Sequence, residues 1–202
     1  MEKINGLVKL DAMKKAFKTA YEGEANRENC AQETFHGVTS VLGIKNYQMF
    51  KSLSALEAGG AISTAGSCGA FSGGLIVISY FFGRTYEQWE KGKNYLKAST
   101  LGQKLYKKFM KQYGTVICRE IHNKIYGRTF KLMDEVNLGV DRDELKIFLE
   151  MGAHDNMCPT VAGLSAMWTV EILWDELTND IDISKMPSAS EALKNFKPKN
   201  KK

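Results

Sequence analysis

The 202-residue chain has little proline, only three histidines and no long apolar run. Its prolines are Pro159, Pro187 and Pro198, so no ring interrupts a helix anywhere in residues 1–158. Alternating β-branched stretches are scarce as well. No strand is expected, and an all-α fold follows. The longest apolar run, LIVISYFF at 75–82, is far too short to cross a bilayer. The opening MEKINGLVKLDAMKKAF has neither the apolar stretch of a secretory leader nor a twin arginine, so a cytoplasmic location is expected. No Gly-Lys-Ser/Thr follows the glycines of GLIVISYFFGR, which excludes a phosphate loop. The acids of DEVNLGVDRDE do not fall at EF-hand positions, which argues against calcium. No Ser-His-Asp or paired-carboxylate arrangement can be traced, so a hydrolase is not expected.

Charge is balanced where it matters. The net charge is +5, but the last nine residues, KNFKPKNKK, hold five lysines and no acid. The rest of the chain therefore carries 23 basic and 23 acidic side chains. A neutral body with a basic end is not a phosphate-tracking surface, so no nucleic-acid partner is expected. With 44% hydrophobic and 25% charged residues the chain can bury a core.

What is present reads as helices. Ile4, Leu7, Val8, Leu10, Met13, Phe17, Ala20 and Tyr21 recur at three and four spacings, which predicts a helix over 4–21. GEANREN, read as a solvated turn, ends it. A second helix runs from about Cys30 to Leu42, closed by Gly43, and a third over 46–58. Ser67 caps a fourth, which puts Cys68 in its first turn, and Gly83 stops it. The stripe Leu101, Leu105, Tyr106, Phe109, Met110, Tyr113 marks 99–113. VICREIHNKIYG is a short helix or turn. Asp141 and Glu144 form a capping box ahead of ELKIFLEMG. The last long helix covers 157–177, with Pro159 at its first position and Cys158 as cap. Ser188 to Glu191 suggests a short helix before the tail. The expectation is one helical domain over 1–180, an antiparallel bundle-like array of about six helices, followed by a short helix and basic tail over 181–202. Trp168 and Trp174 read as core or dimer-interface residues, and the apolar helices exceed what a small bundle hides, which suggests a homodimer.

The chemistry lies in the cysteines. Cys30, Cys68, Cys118 and Cys158 are the only four, 38, 50 and 40 residues apart, with no CxxC among them. Such spacing leaves any shared site to be assembled by the fold. Three of them, Cys30, Cys68 and Cys158, fall at helix starts, where free N–H groups and the positive dipole end favour a thiolate. Around Cys68 the stretch AGSCGAFSGG gathers small residues, giving clearance for a bulky centre or for tight helix packing.

NCAQ at Cys30, CGAFSGG from Cys68, CREI from Cys118 and CPTVAG from Cys158 resemble the redox-active family named for its C…GCAxxG…C…C pattern. The resemblance spans about 28–170 and leaves out the first helix and everything after 180. Members are small cytoplasmic or exported proteins, often of anaerobes. A related module in split-Soret cytochrome c is thought to hold an iron–sulfur cluster. No CxxCH occurs here, so haem attachment does not carry over. The resemblance implies that Cys30, Cys68, Cys118 and Cys158 act as one set. Four thiolates complete a [2Fe–2S] cluster, the favoured cofactor, or a [4Fe–4S] cluster. The backbone N–H groups of Gly69 and Ala70 are candidate donors to its sulfurs. The expected function is electron transfer to a partner oxidoreductase.

Two alternatives stand beside it. One is metal-free thiol–disulfide exchange, with Cys68 as the attacking thiolate. The other is a zinc site. Cys118 and His122 are four apart, as are His154 and Cys158, so a Cys118, His122, His154, Cys158 set is possible, although GAHDNMCP reads as loop around His154. His36 reads as a solvated helix histidine, and Arg119 as facing water.

Overall fold

The computed structural model describes residues 3–93 and 96–180. The chain is mostly helical, as the sequence predicts, but the described residues hold nine α-helices rather than six. The expected short helix at 188–191 and the basic tail lie outside the described residues.

Helix α1 covers Lys9–Arg27. It begins later than its periodicity suggests, because Ile4 and Leu7 pair with each other in a tight turn. It also ends later. GEANR stays helical, since Gly23 serves a close approach: a Cβ there would stand 1.8 Å from the Glu33 carboxylate. Ala12, Ala16 and Ala20, one turn apart, are fully buried.

Helix α2, Cys30–Leu42, keeps its expected limits. Asn29 caps it by accepting the Gln32 N–H, and Gly43 ends it in the left-handed conformation. A short helix α3, Tyr47–Ser52, runs into a 3-10 turn, Ser54–Gly59. Helix α4, Gly69–Phe82, is apolar nearly all round and is packed on three sides, by α2 and by two later helices. After the short α5, Tyr86–Glu90, helix α6, Leu96–Tyr113, presents Leu101, Leu105 and Phe109 to the core. Helix α7 is Cys118–Tyr126. A two-residue hairpin, β1 Met133–Asp134 and β2 Gly139–Val140, was not foreseen; so short a pair carries no alternation to read. Helix α8, Arg142–Glu150, is capped by Asp141 as expected. A π turn, Ala153–Met157, leads into α9, Cys158–Asp180. Among the described residues no helix is long and apolar enough to cross a membrane.

Helix α9 is the hub, packing on α1, α2, α4 and α6. Small residues set these contacts. A Cβ on Gly37 of α2 would meet the Ala16 carbonyl of α1 at 2.7 Å and the Ala166 Cβ of α9 at 3.1 Å. One on Gly73 of α4 would meet the Ala31 carbonyl of α2 at 2.4 Å. Much of the small-residue cluster around Cys68 therefore serves backbone-to-backbone helix packing. Trp174 is buried and Trp168 packs edge-on against Phe109, so both tryptophans belong to the core.

The helix directions differ from a strictly antiparallel bundle. α2, α4 and α9 all begin at one cavity and run away from it together. The last turn of α1 returns to that cavity through Glu24. α6 ends nearby, since the Val116 carbonyl just beyond it accepts the Cys68 N–H at 2.8 Å.

Candidate functional site

Each cysteine sits at a helix start. Cys30, Cys118 and Cys158 are the first residues of α2, α7 and α9, and Cys68 is the cap of α4. Two of these starts are fastened to each other by backbone. Cys68 N–H donates to Val116, Cys118 N–H donates to the Gly66 carbonyl at 2.9 Å, and Ser67 bridges Ile117 between them. The start of α2 is tied to the 3-10 turn, with Asn29 Nδ2 donating to the Ser54 carbonyl at 3.0 Å.

All four cysteines line one cavity of about 200 Å³. Cys68 and Cys118 are buried; Cys30 and Cys158 are partly exposed. All are free thiols. They stand two and two. Cys30 and Cys68 are neighbours, and Cys68 is the first cause that pushes the Cys30 thiol up. Cys118 and Cys158 share a neighbour: His122 Nε2 lies 3.6 Å from the Cys118 Sγ and 4.0 Å from the Cys158 Sγ. The Tyr126 hydroxyl is 3.4 Å from the Cys158 Sγ.

The imidazole of His122 is packed among Phe148, Phe130 and Tyr126, with ring centroids 5.0–5.6 Å away. Burial lowers its pKa to about 4, so it is neutral at pH 7. The i, i+4 spacing of Cys118 and His122 was legible in the sequence. The other half of the zinc set behaves differently. His154 lies in the π turn, and its Nδ1 faces Glu24 Oε1 at 3.7 Å.

Glu24 is the residue that sequence reading missed. Its sequence context reads as a solvated turn, yet it is 2% exposed and lines the cavity. The signal was there: it continues the four-residue stripe Ala12, Ala16, Ala20. Burial, then the neighbouring Cys30, holds its carboxyl well above the usual range. Its Oε2, like the Nδ1 atoms of His122 and His154, has no hydrogen-bond partner among the described residues. All three residues line the cavity, and buried polar atoms left without a partner point to an occupant.

The thiols correct one sequence expectation. Helix starts were expected to lower their pKa values. Instead the neighbouring Cys68 and burial push the Cys30 thiol up, and burial pushes Cys118 and Cys158 up. Desolvation outweighs the helix ends while nothing positive occupies the cavity, because its lining includes no lysine or arginine. Gly69 and Ala70 are buried in the first turn of α4. Gly69 lies against Cys30: a Cβ there would be 2.6 Å from its Sγ. Arg119 and His36 are exposed, as read from the sequence.

Helix starts carrying four dispersed cysteines to one buried cavity define an all-α protein with a cysteine-lined centre. The chain belongs to the family described as "Putative redox-active protein (C_GCAxxG_C_C)", which matches residues 28–172. It differs from the named pattern at one element, with Ser67, Gly69 and Ser72 around Cys68 where the pattern has Gly, Ala and Gly. Helix α1, and with it Glu24, lies outside the match. No curated protein and no solved structure shows a significant match to the chain.

Proposed function

We propose that the cavity holds a [2Fe–2S] cluster on Cys30, Cys68, Cys118 and Cys158, and that the protein is a cytoplasmic electron carrier serving a partner oxidoreductase. The observation that carries this reading is the delivery of four thiols, from four separate helix starts, to one cavity whose lining includes no lysine or arginine. The donor set fits the group. A thiolate here needs a positive neighbour, and iron supplies it; the helix starts then favour the net negative charge of a cysteine-bound cluster. Among the described residues no three His, Cys, Asp or Glu side chains gather in a group that could hold a metal ion. A two-iron cluster asks less of each point, since each iron takes two cysteines, and the thiols stand as Cys30 with Cys68 and Cys118 beside Cys158. When bound, the cluster supplies one-electron transfer. The chain's part is to exclude water with Phe148, Ile121 and Val161 and to hold the sulfurs in place.

The test is iron, acid-labile sulfide and zinc content of protein purified without oxygen, with visible absorption. Two irons and two sulfides per chain, lost together in each Cys→Ser variant, are expected. Four of each replace the cluster type with [4Fe–4S]. Stoichiometric zinc without sulfide overturns the reading in favour of a zinc site, on the four cysteines or on Cys118, His122, His154 and Cys158.

A second reading has one observation behind it, the nearness of Cys30 and Cys68, both free thiols on one cavity. Two thiols so placed form a disulfide on releasing two protons and two electrons to an oxidising thiol–disulfide partner, with Cys68 as the attacking sulfur. A metal-free protein that loses two mass units reversibly on oxidation, and not in Cys30→Ser or Cys68→Ser, would establish it.

A further inference from the structure

We propose that the mouth of the cysteine cavity admits small neutral or positively charged redox reagents and turns anions away. The inference rests on the redox reading above and names the class of small molecule that can reach the centre.

The rim of the cavity is acidic. Glu28 and Val140 are its exposed residues, and Glu57 and Asn29 stand half-buried beside them. Burial, then the charge of Glu28, pushes the Glu57 carboxyl up. No lysine or arginine is among the residues that line the cavity. The basic residue next to the rim in sequence, Arg27, is committed elsewhere, with its Nη2 2.8 Å and its Nε 3.0 Å from the Glu33 carboxylate.

The inner wall offers an anion no positive charge. Glu24, 2% exposed, keeps Oε2 without a partner, a polar atom that calls for a polar ligand. An incoming anion meets carboxylates at the entrance and no lysine or arginine within. A cation or a neutral donor meets an attractive or indifferent field that apolar walls such as Leu145 and Ile62 focus. Cys30 and Cys158, the two half-buried cysteines, line this cavity and are the ones such a molecule would meet.

A matched pair of thiol reagents tests this on the full reduced chain, both as purified without oxygen and after chelation. The trimethylammonium-ethyl and sulfonatoethyl methanethiosulfonates are of similar size and opposite charge. Each forms a disulfide with the protein sulfur and releases methanesulfinate. Rates are read by intact mass and divided by the rates for free cysteine. At low salt the cationic reagent is expected to be favoured by about tenfold or more. The preference is expected to collapse in about 1 M salt and in the Glu28→Gln/Glu57→Gln variant. It should persist in Glu87→Gln/Glu90→Gln, which makes the same change in net charge on α5, beyond the far end of α4. A ratio near that of free cysteine, or an equal fall in both double variants, overturns the proposal. The salt series on the wild-type chain keeps the test decisive if a variant does not fold. A protein with no iron or sulfide would sink the cluster without touching this ratio, which is measured on thiols.

Discussion

Gly69 lies so close to Cys30 that a Cβ on it would stand 2.6 Å from the sulfur and 2.8 Å from the Leu56 carbonyl. The first turn of α4 is thus fitted to the first residue of α2 without room for a methyl group. Gly69→Ala is expected to cost about 1–3 kcal/mol, the usual range for overpacking, and to lower metal uptake by displacing Cys30. Gly102→Ala makes the contrast. A Cβ there meets only the end of the Leu75 side chain, at 3.0 Å, and a mid-helix alanine gains up to about 1 kcal/mol over glycine. Urea unfolding of both variants checks the pair. Equal destabilisation by the two would mean that the fit at Cys30 is not special.

His122 is the polar group nearest two of the sulfurs. In the neutral tautomer with hydrogen on Nε2, it donates toward Cys118 and Cys158. Such a donor stabilises the more negative, reduced form of a cysteine-bound centre. His122→Leu keeps an apolar body among Phe130 and Phe148, so stability should change by less than about 1.5 kcal/mol. The reduction equilibrium of the loaded protein should shift by about tenfold toward the oxidised form, ~59 mV lower for a one-electron couple. Potentiometric titration of both proteins reads this directly. A normal fold with an unchanged potential removes His122 from the sulfurs' surroundings.

Glu24 makes stability depend on pH. Its folded carboxyl is held above its unfolded value by burial first, then by Cys30. The folded state therefore binds the proton more tightly than the unfolded one. That advantage is complete below the unfolded value, about 4.3, and is lost as pH rises through the folded value. Glu24→Gln carries no such titration. In the metal-free chain its melting temperature relative to wild type is expected to climb as pH rises from 4 to 8. A difference that stays flat across that range rules the buried acid out as the cause.

The sequence made the cysteine frame visible because helix starts announce themselves locally. Asn29 and Pro159 mark the starts at Cys30 and Cys158, and Gly43 and Gly83 mark two of the ends; at α4 the expected cap, Ser67, gives way to Cys68, which caps the helix without a side-chain bond. The metal-ligating types were visible too, Cys118 and His122 by their spacing. What local pattern could not show was approach between distant segments. Gly23 reads as a helix breaker, but it is a mid-helix contact with Glu33, which lies in the next helix. Glu24 reads as solvated because charged residues usually are, and only the buried alanines before it say otherwise. The thiols look acidified by their helix ends, yet their common burial, a tertiary fact, pushes three of them the other way. The directions of α2, α4 and α9 follow from the shared cavity, and nothing in any one segment encodes that.

The cavity divides the apolar interior into unequal parts. The main cluster runs through α1, α2, α4, α6 and α9. A second, smaller cluster of Phe130, Leu132, Phe148 and Ala153 forms the opposite wall, with Tyr126, Leu145 and Ile147 around it. That wall is tied back by the α7 start paired with residues 64–67, by Thr64 Oγ1 donating to the Phe130 carbonyl at 2.9 Å, by the π turn joining α9, and by Tyr21 and Glu24 of α1, which reach Asp155 and His154. A cluster bridging Cys30 and Cys68 on one side to Cys118 and Cys158 on the other would act as a further link, and its binding energy would be folding energy for the smaller part. Removal of the metal is therefore expected to speed amide exchange in 118–157 by at least about tenfold, or 1.4 kcal/mol of local stability. The amides of α1, α6 and the second half of α9 should stay protected, and anaerobic reconstitution should restore the rest. Exchange that rises evenly through the whole chain, or nowhere, would show that no bound group joins the two walls.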